Sequence, residues 1–168
     1  MADPRDHLRD WLRDAHAMEQ QAITMLNAQV DRLETYPELR AAISQHLAQT
    51  RTQATRLGDC LIQLGDDTSA LKDFTGRMVA FGQGMAGMLV EDEVVKGALA
   101  SYAFEQMEIG SYRLMVAAAD AAGEPAIARV LEEILAEEQT MADWLYANLP
   151  TITVEFMARD AADAPAKR

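Results

Sequence analysis

The sequence predicts an all-α protein built as a four-helix bundle, and three observations lead to this prediction. Apolar residues recur at spacings of three and four over long stretches, which is the period of an amphipathic helix. Proline, glycine and acidic residues separate these stretches cleanly. The composition is 49% hydrophobic but only 6% aromatic, and this combination favours packed helices over sheets. A length of 168 residues suits one domain, so we predict a single domain over 1–168.

The first helical hairpin is predicted from the residues at its ends. Asp3 and Pro4 form a cap and a first turn, which begin helix A over about 4–34. Helix B is predicted over about 37–64, where Gly65 ends it.

The second hairpin follows a long crossover. A helix interrupted by four glycines is expected over about 69–89. Helix C is predicted over about 92–122 and helix D over about 125–148, where Pro150 closes it. A short C-terminal helix is predicted over about 151–162. Two hairpins joined by one long crossover make the ferritin-like topology.

The charge balance excludes several classes of partner. There are 27 acidic and 15 basic residues, for a net charge of −12, which argues against nucleic acid and against anionic membrane surfaces. No apolar run approaches the roughly 20 residues that span a bilayer. The single cysteine, Cys60, excludes an internal disulfide, and the first 14 residues carry no apolar signal core. We therefore expect a cytoplasmic protein.

Four glutamates interrupt the apolar stripes of three helices near mid-length. They are Glu19 on helix A, Glu105 and Glu108 on helix C, and Glu138 on helix D. Converging buried carboxylates need protons or cations, because burying an isolated charge is costly. Two divalent ions would balance four negative charges, and hard oxygen ligands suit iron or manganese. Each glutamate alone could instead lie at a helix edge and reach solvent, so the prediction depends on the joint pattern.

Two histidines stand near this predicted site. His16 lies three residues before Glu19, at ligand spacing, and His46 lies on the core stripe of helix B. A core histidine is more often a structural residue than a ligand, so these two are predicted only as supplementary ligands. The sequence contains no phosphate-binding, dinucleotide-binding or nucleophile-elbow motif, and we predict no catalytic residue and no organic cofactor.

Four long segments carry a family resemblance. They read DWLRDAHAMEQQAITML, YPELRAAISQHLAQT, EDEVVKGALASYAFEQMEIGSY and ILAEEQTMADWLYANLP. Together they resemble the YciE branch of the YciE/YciF ferritin-like family, over about 5–157. The resemblance implies a ferritin-like bundle, a bacterial source, an association with stress and a homodimer.

The resemblance also implies roles for the four glutamates. Glu19, Glu105 and Glu138 match the carboxylate ligands that ferritin-like proteins place on helices A, C and D. Glu108 resembles an additional helix-C carboxylate of rubrerythrin-like sites.

Helix B departs from the family pattern. Residues 46–50 read HLAQT where the family has H-L-x-E-T, so Gln49 replaces a ligand glutamate with a weaker, neutral amide. Thr52 and Met141 stand where ferritin-type sites have histidines. The expected site therefore lacks imidazole, and one weakly held ion is favoured over two.

Other polar residues could complete the ligand shell. These are Gln53, or His46 or His16 after small shifts.

Two functional hypotheses remain open from the sequence. The first is a stress-related ferritin-like protein that binds iron or manganese, as one or two ions, with at most weak ferroxidase or peroxide-linked activity. The second is a metal-free structural or interaction protein, whose buried glutamates are protonated or paired with buried groups such as Gln49, Gln53, His46 or Tyr112. Added metal would raise the melting temperature under the first hypothesis, whereas glutamate-to-glutamine changes would stabilise the fold under the second.

Overall fold

Four long α-helices make up the protein in a computed structural model that describes residues 3–66 and 94–162. They are α1 (Pro4–Arg32), α2 (Pro37–Gln63), α3 (Val94–Ala121) and α4 (Pro125–Ala161). No β-strand occurs within the described ranges. The predicted crossover over 69–89 and the first two residues predicted for helix C lie outside them.

The helix ends follow the local sequence. Three helices have a proline in their first turn, and the Asp3 carboxylate caps α1 by accepting a hydrogen bond from the Arg5 backbone N–H at 3.0 Å. Gly65 and Gly123 follow α2 and α3 with φ angles of 77° and 72°, a left-handed conformation that favours glycine.

The helices pack as two pairs, which confirms the predicted bundle. α1 lies against α2, and α3 lies against α4, while α1 also contacts α3 and α2 also contacts α4. The apolar stripe of each helix faces the common core. Within residues 3–66 and 94–162, no helix has an apolar stretch long enough to cross a membrane.

The structure differs from the prediction at Pro150. No break occurs there, and 151–162 is the continuation of α4 rather than a separate helix. A proline inside a helix removes one backbone hydrogen bond and crowds the preceding turn. Burial of Ile152 and the packing of Phe156 on the core offset this cost, because both contacts require the helix to continue along the bundle.

A second contact holds the end of α4 in place. The Arg159 guanidinium donates a hydrogen bond to the Thr35 carbonyl oxygen at 2.8 Å and lies 5.2 Å from the centre of the Tyr36 ring. The last turns of α4 are therefore tied to the connection between α1 and α2.

Candidate metal centre

Polar side chains lie buried near mid-length of the bundle, where the apolar stripes are interrupted. Each of them is at most 2% exposed: Glu19, His46, Thr50, Gln53, Glu105, Glu108, Tyr112 and Glu138. All four glutamates singled out in the sequence are therefore in the interior, and all four helices contribute to this polar layer.

Four of these side chains form a compact group that could hold a metal ion. They are His46, Glu105, Glu108 and Glu138, hereafter the histidine–glutamate group. Each offers one ligand atom, and these atoms all lie within 4.8 Å of one another. His46 Nε2 is 3.2 Å from Glu105 Oε2 and 3.4 Å from Glu138 Oε2. Helices α2, α3 and α4 thus direct one imidazole and three carboxyl groups to one point.

Several atoms of the group are buried without a hydrogen-bond donor or acceptor. Among the residues that the structure describes, this holds for His46 Nδ1, Glu105 Oε2, Glu108 Oε1 and Glu138 Oε2. Leaving a buried polar atom unsatisfied costs about 1–3 kcal/mol, and more when the group is charged. A cation among the carboxylate oxygens would satisfy them, so the donor set fits a metal ion of the iron or manganese type.

Glu19 lies beside this group and has its own partner. The Tyr112 hydroxyl, on α3, donates a hydrogen bond to Glu19 Oε1, and both side chains are buried. Glu19 does not belong to the four residues whose ligand atoms lie within 4.8 Å of one another. The phenol occupies Oε1, while Glu19 Oε2 is buried without a hydrogen-bond partner among the described residues.

Gln53 connects the group to the surface of the bundle. Its Nε2 donates to Glu138 Oε1 at 2.5 Å and to Glu137 Oε2 at 2.8 Å. Glu137 Oε2 also accepts from Arg56 Nη2 at 2.5 Å, and both of these side chains are partly exposed. The amide nitrogen of Gln53 thereby holds Glu138 in place.

The electrostatics of the site favour either protons or a cation. Burial is the main cause that raises the pKa of Glu105 to about 7, of Glu19 to about 8 and of Glu138 to about 9. Burial also raises the pKa of Glu108 well above its ordinary value, and the charges of the neighbouring glutamates add to this effect. A carboxyl group with such a pKa is readily protonated near neutral pH unless a positive charge lies beside it.

The register of α2 differs from the one that the family resemblance implies. His46, Thr50 and Gln53 share the inward face, and Gln49 is half-buried at its margin, outside the histidine–glutamate group. A step of three residues rotates a side chain by about 60° away from the starting direction, whereas a step of seven nearly restores it. Gln53 therefore reaches the site, and the Thr50 hydroxyl donates to the His46 carbonyl oxygen at 2.9 Å.

An imidazole does lie in the group, in contrast to the expected site without one. It comes from His46, at a position unlike those of the ferritin-type histidines. Thr52 is exposed, and Met141 is a buried core residue. His16 is half-buried on α1 and lies outside the group; burial lowers its pKa.

Two contributors to the site were not among the predicted ligands. Tyr112 stands on an apolar stripe, where an aromatic residue normally signals core packing. Arg56 stands three residues after Gln53, and its role depends on a contact with another helix. Tyr112 lies four residues after Glu108, and this spacing was the one sequence signal for its position near the site.

The comparison with known proteins covers nearly the whole chain. A family profile with the description "Domain of unknown function (DUF892)" matches residues 3–158. A crystal structure of a protein from Xanthomonas campestris is 39% identical in sequence with a TM-score of 0.79, and the match covers 94% of this chain and 99% of that one.

Two further solved structures are similar at lower identity. YcfI from Rhodopseudomonas palustris is 24% identical with a TM-score of 0.68, over 87% of this chain and 94% of that one. The E. coli stress protein YciF is 20% identical with a TM-score of 0.76, over 89% and 96% of the two chains. At these identities the likeness shows the ferritin-like helical fold alone. The match of the family profile decides the affiliation, and this chain belongs to the DUF892 family.

Proposed function

We propose that this protein is a ferritin-like metal-binding protein that holds iron or manganese in the histidine–glutamate group. The observation that supports the proposal is the convergence of His46, Glu105, Glu108 and Glu138, all buried, with ligand atoms within 4.8 Å of one another. Opposite ligands of one first-row metal ion lie roughly 4.2 Å apart, which is twice a metal–oxygen distance of about 2.1 Å. Small side-chain movements would therefore close the group around one ion.

The charges of the site also favour one ion over two. The three carboxylates of the group bring three negative charges, and the imidazole is a neutral ligand. One divalent ion leaves a single negative charge, which a proton on one carboxyl group neutralises. Two divalent ions would need Glu19 as a further ligand, but Tyr112 already donates a hydrogen bond to that carboxylate.

The proposed activity is weak oxidation of bound iron or a reaction linked to peroxide, in a protein that acts under stress. Iron or manganese would supply the redox chemistry, while His46 and the three glutamates hold the ion and exclude water. Gln53 fixes the orientation of Glu138. Support for the association with stress comes from the shared fold with the stress protein YciF and from the resemblance to the YciE branch, to which we assign the chain.

A metal-free structural or interaction protein is the second candidate. The raised pKa values of the buried glutamates support it, because protons alone can neutralise the site near neutral pH. The hydrogen bonds from Tyr112 to Glu19 and from Gln53 to Glu138 would then serve the fold only.

The proposal includes a homodimer in the bacterial cytoplasm. The family resemblance supports the dimer, and the charge of −12 disfavours nucleic acid and anionic membranes as partners. Gel filtration with light scattering measures the subunit number directly, and a monomeric mass would refute the dimer.

Metal content is the measurement that separates the two candidates. The protein is purified without chelator and without a metal-affinity tag, and its metals are counted by plasma mass spectrometry. We expect near-stoichiometric iron or manganese in the wild type and a loss of that metal in Glu105→Ala. The matched control is Glu133→Ala on α4, whose side chain is 68% exposed and lies outside the group. Metal far below stoichiometry in the wild type would favour the metal-free candidate.

A further inference from the structure

A groove between α2 and α4 leads from the surface to the histidine–glutamate group. Its volume is about 430 Å³, and its lining includes Ala42, Gln45, Gln49, Thr140 and Trp144. His46 also lines it, although this side chain is only 2% exposed. His46 therefore lies between the groove and the three glutamates of the group.

The two ring nitrogens of His46 differ in their neighbours. Its Nε2 points to Glu105 and Glu138, at 3.2 and 3.4 Å. Its Nδ1 has no hydrogen-bond partner within residues 3–66 and 94–162. A buried ring nitrogen without a partner is unfavourable, and a small polar molecule at the inner end of the groove would satisfy it.

The groove walls select for an uncharged molecule. Gln45, Gln49 and Thr140 carry neutral amide and hydroxyl groups, and no lysine or arginine lines the groove among the residues that the structure describes. The carboxylate of Glu38 stands eight residues before His46, roughly 12 Å away along the helix axis. Along the groove itself, an anion would thus meet no fixed positive charge, and a metal cation would meet no carboxylate other than Glu38 before it reached His46.

The same helix pair is closed on the other side of His46. There Gln53 and Arg56 of α2 both donate hydrogen bonds to Glu137 of α4. These contacts close the space between the two helices at this point, whereas the groove remains open one to two turns earlier along α2.

We propose that the groove between α2 and α4 is the access route by which a small uncharged molecule of the hydroperoxide class reaches the site, with His46 Nδ1 as its hydrogen-bonding partner. A hydroperoxide both donates and accepts hydrogen bonds, which suits the amides, the hydroxyl and the imidazole of the walls. This inference rests on the proposed metal-binding function and names the substrate class of that site.

The first test uses metal-free protein and the chemical label diethyl pyrocarbonate. This small neutral reagent acylates unprotonated imidazole, and peptide mass spectrometry measures its rate at each histidine. We expect labelling of His46 in the wild type, and a rate lower by about tenfold or more in Ala42→Phe, which fills the groove, corresponding to about 1.4 kcal/mol. Trp144→Ala, which widens the groove, is expected to raise the rate.

Controls are available within the same chain. His7 is exposed and His16 is half-buried, so their labelling rates are expected to stay constant in every variant. Ser111→Phe fills a different groove, between α1 and α3, and is expected to leave His46 labelling unchanged. Gln49→Phe replaces Ala42→Phe if the latter fails to fold by circular dichroism. Equal labelling of His46 in wild type and filled variants, or none in the wild type, would overturn the inference.

The second test uses protein loaded with ferrous iron and mixed rapidly with hydrogen peroxide. Two iron-loaded chains, each holding one ferrous ion, together reduce one peroxide: each ion gives up one electron, two protons are consumed, and two water molecules form. We expect Ala42→Phe to bind the same amount of iron but to oxidise it about tenfold more slowly, since the ligands are intact and the groove is filled. Equal oxidation rates with equal iron content would overturn the inference and leave the proposed function standing. If the wild type binds no iron, the proposed function fails, and labelling of His46 still decides whether the groove admits a neutral molecule.

Discussion

Two neighbouring parts of the buried polar layer differ in how their carboxyl groups are satisfied. The Tyr112 phenol donates a hydrogen bond to Glu19 Oε1, while Glu19 Oε2 is buried without a hydrogen bond from the described residues. In the histidine–glutamate group three carboxyl groups face one another, and each has a buried oxygen that receives no hydrogen bond from the described residues. Burial is equally deep in both parts. Burial and an unsatisfied oxygen alone therefore do not make a metal site; the deciding feature is that three carboxyl groups and an imidazole converge, with no phenol donor among them.

The largest effect is expected on metal affinity and separates the two parts directly. Glu108→Gln removes a charged ligand from the group and should weaken Mn²⁺ binding by more than about 100-fold, whereas Glu19→Gln should weaken it less, by about 10- to 100-fold, as for residues beside the ligands. Titration of the metal-free variants with Mn²⁺, monitored by electron paramagnetic resonance, measures both affinities. Equal losses in the two variants would place Glu19 among the ligands.

The stability of the metal-free protein should fall as the pH rises. The pKa values of Glu105, Glu19 and Glu138 are raised from 4.5 to about 7, 8 and 9, so the folded state binds more protons than the unfolded state over that range. The stabilisation that these groups contribute is fully present below about pH 4.5 and is lost as the pH rises through 7 to 9. We expect a loss of at least about 2 kcal/mol between pH 5 and pH 9 in urea denaturation.

A matched variant checks the origin of this pH dependence. Glu138→Gln cannot lose a proton, so its stability should fall less steeply than that of the wild type over the same range. Stability that increases with pH in the metal-free wild type would show that these carboxyl groups are stabilised in their charged form.

Removal of the Tyr112 hydroxyl should destabilise the part of the polar layer that Glu19 and Tyr112 form. Tyr112→Phe leaves Glu19 Oε1 without its hydrogen bond in a buried position, and the expected cost is about 1–3 kcal/mol at pH 7. The metal affinity should change little, because Tyr112 is not a ligand. Denaturation with and without Mn²⁺ measures the stability and the metal affinity. A loss of metal binding in Tyr112→Phe would show that Glu19 and the histidine–glutamate group form one site.

The smallest effect on stability is expected at the partly exposed ion pair between Arg56 and Glu137. Arg56→Gln breaks the ion pair with Glu137, and because both side chains are partly exposed, the expected loss is about 0.5–1 kcal/mol, less at high salt. Denaturation at low and high salt measures this. A loss of several kcal/mol would instead show that Arg56 is part of the buried layer.

The sequence predicted the bundle and its acidic interior for a clear physical reason. A glutamate in an apolar stripe violates the pattern of its own helix, so Glu19, Glu105, Glu108 and Glu138 were visible without any structure. Proline and glycine at the helix ends were equally informative, except at Pro150, where burial of Ile152 outweighs the local preference.

The features of the site that the sequence did not predict depend on contacts between helices. Family analogy pointed to Gln49, whereas the core stripe of helix B carries His46, and in the structure His46 and Gln53 face inward as α2 packs against α1 and α4. Tyr112 fits an apolar stripe as well as any core aromatic residue, so only the structure shows that its hydroxyl meets Glu19. A side-chain contact between two helices does not alter the apolar periodicity of either helix, so the sequence pattern does not reveal it.

The melting temperature of wild type and Glu105→Gln, with and without Mn²⁺, tests the central claim most directly. Metal at about 100 times its dissociation constant stabilises the folded state by about 2.7 kcal/mol, which corresponds to a rise of roughly 5–10 °C for a chain of this size. We predict this rise in the wild type and its loss in Glu105→Gln, whose metal-free form should melt at or above the wild-type temperature because a buried acid has been removed. No rise in the wild type would contradict the account and leave the histidine–glutamate group as a protonated core.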